Sequence, residues 1–375
     1  MARTRSTRGR TRKKSGSGAA VLLFGILLLA VAAGAAWLIF LPAGPPPSGS
    51  LPFGTRSETF VEIAQGSTSN QIAAQLEQAG VIRSRYGFDL IKLARLWKRG
   101  STLKAGEYRF DHPAPVTEVY NRIARGDVFT LPVTLPEGST RFDIAAKVAK
   151  AGFTDITEQD FLAATVSETP LIADLDPHAT SLEGYLFPDT YRFPRNATAV
   201  QIVTAMEHRF RAVATQLGIA KSTLPIETVG TVHDLVTLAS LIERETAVAS
   251  ERPLVSSVLT NRLKKNMPLM TDPAVIYGLE VAGKWRGAIY ESDLKDPKHD
   301  TPYNTYRHSG LPPGPVGNPG TASLRAALHP AATDYLYFVA AGADPQGKSR
   351  FAATLEEHNK NVASYRQAIQ HAGGR

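Results

Sequence analysis

The pattern of apolar and polar positions divides the chain into stretches of different kinds. From Ala19 to Leu41 the run AAVLLFGILLLAVAAGAAWLIFL carries no charge, and roughly 20 apolar residues are enough for a helix to cross a bilayer. Residues 42–57 then read as a linker rich in Pro, Gly and Ser, too stiff and polar to pack. Amphipathic patterning resumes beyond Ser57. VEIAQGSTSNQIAAQLEQAG from Val61 and VTLPEGSTRFDIAAKVAKAG from Val133 form a weak internal repeat that aligns Gly66 with Gly138 and Ile72 with Ile144. Each copy predicts a strand, a turn and an amphipathic helix. Alternating apolar residues lead into Gly-Ser-Thr, whose hydroxyls can cap the helix, and Gly80 or Gly152 ends it.

After the second copy, helical spacing predicts helices near 141–151, 197–217, 231–246, 251–265, 321–329 and 353–371, and YLYFVA from Tyr335 predicts a strand. That mixture is α+β. It gives a small β–α domain over 58–130 and a larger α+β domain over 131–375. Between about Met267 and Gly320 the chain is dense in Pro, Gly, Asn and Tyr, and predicts a long irregular stretch. Such a stretch inside a compact domain is usually functional, and its aromatic residues suggest the wall of a substrate groove.

Charge sharpens the membrane reading. The formal net charge is +8, and Arg3, Arg5, Arg8, Arg10, Arg12, Lys13 and Lys14 supply seven of those charges within the tail 1–18. A basic excess held in one short tail is a topology and anionic-lipid signal, not a nucleic-acid footprint, so no nucleic-acid partner is expected. By the positive-inside rule the expected product is a single-pass inner (plasma) membrane protein with a cytoplasmic N-terminus, anchored through 19–41, its remainder outside. A cleaved signal peptide is the rival reading, since AAGAA offers small residues, but the apolar run exceeds a typical signal core.

The chain has no cysteine, which excludes disulfides, thiolate nucleophiles and cysteine-ligated metals. HExxH, GxSxG, P-loop and dinucleotide fingerprints are missing, and His233, His308, His329 and His358 lack metal-ligand spacing, so neither cofactor nor metal is expected. Carboxylates remain as catalysts. In TVHDLVTLASLIERETAVASER, Val232, Leu235, Val236, Ala239 and Ile242 recur at helical spacing and mark a buried stripe. Glu245 has Ile242, Leu241 and Leu238 three, four and seven residues before it, which carries its carboxyl on the apolar side at the helix C-terminus. Desolvation and the helix dipole both favour a protonated acid there. A structural salt bridge from Glu245 to Arg244 or Arg252 is the competing reading of the same residues.

LASLIERETAVASERPLVSSVLTNRLKKNMPLMTDPAVIYGL closely resembles the core motif of MltG/YceG-like endolytic murein transglycosylases. SLEGYLFPDTYRFP from Ser181, YNTYRHSGLPPGPVGNPG from Tyr303 and ATLEEHNKNVASYR near the end also look like signatures of that family, in the expected order. The resemblance covers roughly Val61 to Tyr365 and places the family's catalytic glutamate at Glu245. It implies that 58–130 is a LysM-like domain and 131–375 the catalytic domain. It further implies non-hydrolytic cleavage of the MurNAc-β-1,4-GlcNAc bond in nascent peptidoglycan strands, leaving a 1,6-anhydro-MurNAc end and limiting strand length beside the elongation or division synthases. In that reaction Glu245 first protonates the glycosidic oxygen and then, as carboxylate, takes the proton of the C6 hydroxyl as it closes on C1.

The remaining candidates are placed around that acid as substrate-binding groups. Glu183 orients substrate or tunes Glu245, or else holds a turn through a structural hydrogen bond, and Asp189 offers the same choice. Thr271 and Asp272 precede Pro273, which points them into the groove or makes them cap the next helix. Tyr303, Asn304, Thr305 and Tyr306 put amide and hydroxyl groups on an aromatic platform suited to sugar rings. Pro312, Pro313, Asn318, Pro319 and Gly320 fix the loop's shape, with Asn318 kept among the binding candidates, and Trp285 either stacks a sugar or belongs to the core. Two other activities fit fewer of these residues: a non-catalytic peptidoglycan-binding scaffold for synthases, and a hydrolase using Glu183 and Glu245 as a carboxylate pair.

Overall fold

The structure, a computed structural model, describes residues 17–42, 58–95, 102–219, 229–342, 344 and 347–373. Most of the basic tail and all but the first residue of the Pro/Gly/Ser linker lie outside the described residues. The chain divides into two compact units, Met1–Phe129 and Thr130–Arg375.

The first unit begins with helix α1 (Ser17–Phe40), whose large side chains from Val21 onward are mostly exposed. At 1.5 Å per residue its 24 residues exceed the roughly 30 Å of a hydrocarbon core, so α1 is long and apolar enough to cross a membrane. Strand β1 (Thr59–Ile63) pairs antiparallel with β2 (Gly106–Phe110), Val61 facing Tyr108. Helices α2 (Ser69–Gln78), α3 (Arg85–Arg95) and α4 (Val116–Arg125) complete the unit. Their inward residues Ile72, Leu76, Phe88, Val119 and Ile123 form its core with Tyr108. The start of α2 is fixed as the sequence indicates: the Thr68 hydroxyl accepts the Gln71 N–H while the Gln71 side chain accepts the Thr68 N–H.

The second unit repeats that opening. Strand β3 (Leu131–Thr134) leads through Gly138 to α5 (Arg141–Ala149), capped reciprocally by Thr140 and Asp143. Here β3 pairs with β4 (Thr190–Phe193), which follows α6 (Glu158–Ser167). Helices α7 (Ala199–Leu217), α8 (Val232–Glu245), α9 (Arg252–Lys264), α10 (Asp272–Val281), α11 (Glu291–Lys295) and α12 (Thr321–Leu328) come next. The hairpin β5 (Tyr337–Ala340) and β6 (Ser349–Ala352) then precedes α13 (Leu355–Gly373).

Two expectations change. The α8 stripe is wider than its spacing predicts: Leu235 through Glu243 are all buried, because α9, α10 and α12 pack around the helix. The stretch between Met267 and Gly320 contains the ten-residue helix α10. Pro273 lies in its first turn, where a missing N–H costs nothing. Gly278, which weakens helical propensity, is needed there: a Cβ would sit 2.3 Å from the Thr301 hydroxyl and 2.7 Å from the Tyr303 Cβ.

Candidate active site

The second unit ends its most buried helix on a carboxylate. Ile242, Leu241 and Leu238 beneath Glu245 are fully buried, and α8 stops at Glu245 because Thr246 turns extended at φ −142°. Glu245 is itself half-buried, and burial pushes its carboxyl up to about 7, with the negative charge of Asp272 adding to the rise. Arg262 and Arg244 pull the other way without overcoming it. Among the described residues the Glu245 carboxyl has neither an ion pair nor a hydrogen bond. The salt-bridge alternative is taken by its neighbour. Arg252 donates to Glu243 Oε1 at 2.6 Å and to Glu137 Oε2 at 3.3 Å, while the Gly320 N–H donates to Glu243 Oε2 at 2.9 Å. Arg244 sends its guanidinium to the Val316 carbonyl at 2.8 Å.

The groups facing Glu245 come from three other segments. Asp272 opens α10, and its Oδ1 accepts the Tyr306 hydroxyl at 2.6 Å. Burial and the charges of Asp272 and Glu245 hold that phenol well above its ordinary range, so it stays a hydrogen-bond donor. Arg262, on α9, is fixed by the carbonyls of Leu336 at 2.7 Å and Leu269 at 2.8 Å, and burial lowers its pKa from the usual arginine value. It is a half-buried cation within electrostatic reach of Glu245, and its local sequence gave no sign of it. Thr271 is buried; its N–H and hydroxyl meet the Thr305 hydroxyl at 2.9 and 3.1 Å, which anchors the start of α10 to the loop carrying Tyr306. Neither Thr271 nor Asp272 caps α10 through its side chain.

The other candidates fall elsewhere. Glu183 is 2% exposed; Oε2 accepts the Arg141 N–H at 2.9 Å and Oε1 the Asn318 amide at 2.8 Å. Those donors favour the carboxylate, but burial outweighs them and pushes it up to about 7. Asn318 also donates to the Ser139 carbonyl and accepts the Leu186 N–H, so the Glu183–Asn318 pair ties three loops together. Asn304 is fully buried; its amide donates to the Asp293 and Leu294 carbonyls and its oxygen accepts the Tyr306 N–H. Tyr303 packs edge-on against Tyr277 with centroids 5.1 Å apart. Asp189 is exposed, paired with Arg209 at 2.8 Å, and held by that pair below the usual carboxylate range. Thus Glu245, Asp272 and Tyr306 come together, while Glu183, Asn304, Thr305 and Asn318 are buried in the framework behind them.

Two pockets that open to solvent lie apart from this cluster. One of about 520 Å³ is lined by residues from Thr154 to Val200, and one of about 420 Å³ by Trp285, Lys284, Arg286, Lys298 and His299; neither has Glu245 in its wall. His233 resolves as a hydrogen-bonded histidine, with Nδ1 2.6 Å from Asp176 Oδ2 and Nε2 2.9 Å from the Pro313 carbonyl.

Residues 61–364 match the model of the YceG-like family. An endolytic murein transglycosylase of Bacillus subtilis (strain 168) is 34% identical over 324 residues, covering 83% of this chain and 86% of its own. One from Streptococcus pneumoniae R6 is 29% identical over 340 residues, and the match takes in 84% of this chain and 60% of that longer protein. The 2.6 Å crystal structure of a YceG-like protein from Listeria monocytogenes superposes with a TM-score of 0.50 at 31% identity, over 82% of this chain and 99% of that one.

Proposed function

Since the chain belongs to the YceG-like family, we propose that it is a membrane-anchored endolytic murein transglycosylase with Glu245 as its single acid/base. The supporting observation is a carboxyl at the end of a buried helix, free of any ion pair among the described residues, with its pKa raised to about 7. An acid poised there protonates a glycosidic oxygen near neutral pH and still accepts a proton later in the same cycle. As the C1–O bond of MurNAc breaks, the leaving oxygen takes the Glu245 proton. As the C6 hydroxyl closes on C1, its proton passes back to the Glu245 carboxylate. No water is consumed and the product carries a 1,6-anhydro end. Arg262 stabilises the transient carboxylate, and the Tyr306–Asp272 pair holds the opposing negative charge in place.

Around this chemistry, α1 anchors the chain with its N-terminus in the cytoplasm, and the small unit acts as the LysM-like domain on the glycan strand. The substrate is nascent peptidoglycan, and cleavage ends strand growth beside the elongation or division synthases.

The full-length protein in detergent, given uncrosslinked glycan strands, is expected to release fragments with anhydro-MurNAc ends by mass spectrometry. Glu245→Gln should lower that rate by about 10²- to 10⁴-fold, the range of a lost general acid. Reducing MurNAc ends would instead mean hydrolysis through a second carboxylate, and strand binding without product would mean a scaffold.

A further inference from the structure

Outside α1 and Leu41, the described residues of the first unit expose three large hydrophobic side chains, and all three lie on α3: Tyr86 at 60%, Leu90 at 36% and Leu93 at 63%. Their spacing of four and three residues puts them on one face. The opposite side of the helix is conventional core, with Phe88 and Ile91 packed into the unit. Arg85, Asp89 and Lys92, each one position earlier, form a charged stripe along the edge of the apolar face. An apolar face edged by charged residues, here two basic and one acidic, fits a helix lying in the plane of a membrane interface.

The position of that face agrees. The end of α1 packs against α3 and α4, and Ile39 of its last turn joins the small unit's core. At Gly87, in the first turn of α3, a Cβ would stand 2.7 Å from the Leu38 carbonyl oxygen, so the two helices touch backbone to backbone. Arg83 closes the corner: its guanidinium lies 4.4 Å from the centre of the Trp37 ring and donates to the Pro42 carbonyl at 3.0 and 3.2 Å. The apolar face of α3 therefore begins beside the last turn of the spanning helix, at the level where aromatic side chains meet lipid headgroups.

We propose that the Tyr86–Leu90–Leu93 face of α3 is seated in the outer interfacial layer of the bilayer, so that the first unit lies against the membrane. This rests on α1 spanning the bilayer. Held this way, the domain reads glycan at the membrane surface, where strands are being made.

The absence of cysteine makes the test direct, because one introduced cysteine is the only labelling site. Full-length variants with a single cysteine at Leu27, Tyr86, Leu90, Leu93 or Gln78 would carry a nitroxide in phosphatidylethanolamine/phosphatidylglycerol vesicles. Collisions with oxygen, enriched in the bilayer, are compared with collisions with a water-soluble nickel chelate. The expected result is a high oxygen-to-nickel ratio at Leu27, a low one at exposed Gln78, and ratios at positions 86, 90 and 93 raised towards the Leu27 value. Adding L90K and L93K to the Tyr86 label should return it to the Gln78 value. A membrane-buried Leu27 label with Gln78-like ratios on α3 overturns the proposal and leaves the anchor standing. Labels on α3 shielded from both reagents overturn it in favour of a protein partner. An aqueous Leu27 label removes the anchor, and the proposal with it.

Discussion

Glu243 and Glu245 are two residues apart on α8, and a rotation of about 200° sends them to different surroundings. Glu243 turns towards Arg252 and the Gly320 N–H and is neutralised as a buried pair, whereas Glu245 meets apolar side chains beneath it and Asp272 across from it. Charge placement around Glu245 then sets the pH range of turnover. The acid must be protonated to begin, so the rate is expected to fall as pH rises through about 7. Asp272 raises that pKa, and Asp272→Asn removes the repulsion; the alkaline limb of the rate profile should move to lower pH. Arg262→Leu removes an attraction and should move it to higher pH. Rate profiles between pH 5 and 9 check both directions, and a purely structural role for either residue would lower the rate without moving the limb.

At the scale of elements, α8 fixes Glu245 and α10 fixes what faces it. The placement of α10 depends on contact without a side chain at Gly278, where the helix meets Thr301 and Tyr303, and on the Thr271–Thr305 hydroxyl pair at its start. Gly278→Ala improves helical propensity by under about 1 kcal/mol yet forces a Cβ into a stiff wall, and overpacking of this kind costs typically 1–3 kcal/mol. The variant is expected to be less stable in denaturant unfolding, and to lose activity by shifting Asp272 and Tyr306 relative to Glu245. A variant as stable and active as the wild type would show that the 301–303 backbone yields freely.

Across the whole molecule, Glu183, Glu245 and Glu280 share one feature: burial pushes each up to about 7 from 4.5. Between those values the folded chain holds protons that the unfolded chain has released. Stability therefore falls as pH rises from about 4.5 to about 7, by on the order of 1 kcal/mol or more for each group. Asp174, Asp189 and Asp293 are shifted the opposite way; their contribution is present above the ordinary aspartate range and is lost as pH falls below it. The stability maximum should thus lie on the acid side of neutrality. Thermal midpoints at pH 5 and 7.5 check this, the former expected higher, and Glu280→Gln should narrow the gap.

Local chemistry made much of this legible in the sequence. The charge-free run of α1, the Gly-Ser-Thr turns that cap α2 and α5, and the apolar residues three, four and seven positions before Glu245 act within one helix or turn, where spacing along the chain is distance in space. Tertiary structure decided what depends on chain segments far apart. It put Arg262, 17 residues on from Glu245, within charge range, gave Arg252 to Glu243 instead of Glu245, and buried Glu183, Asn304 and Asn318 behind the site. It also placed the exposed face of α3 beside the end of α1. Desolvation and Coulomb energies depend on every neighbour within several ångströms, and most of those neighbours come from elsewhere in the chain.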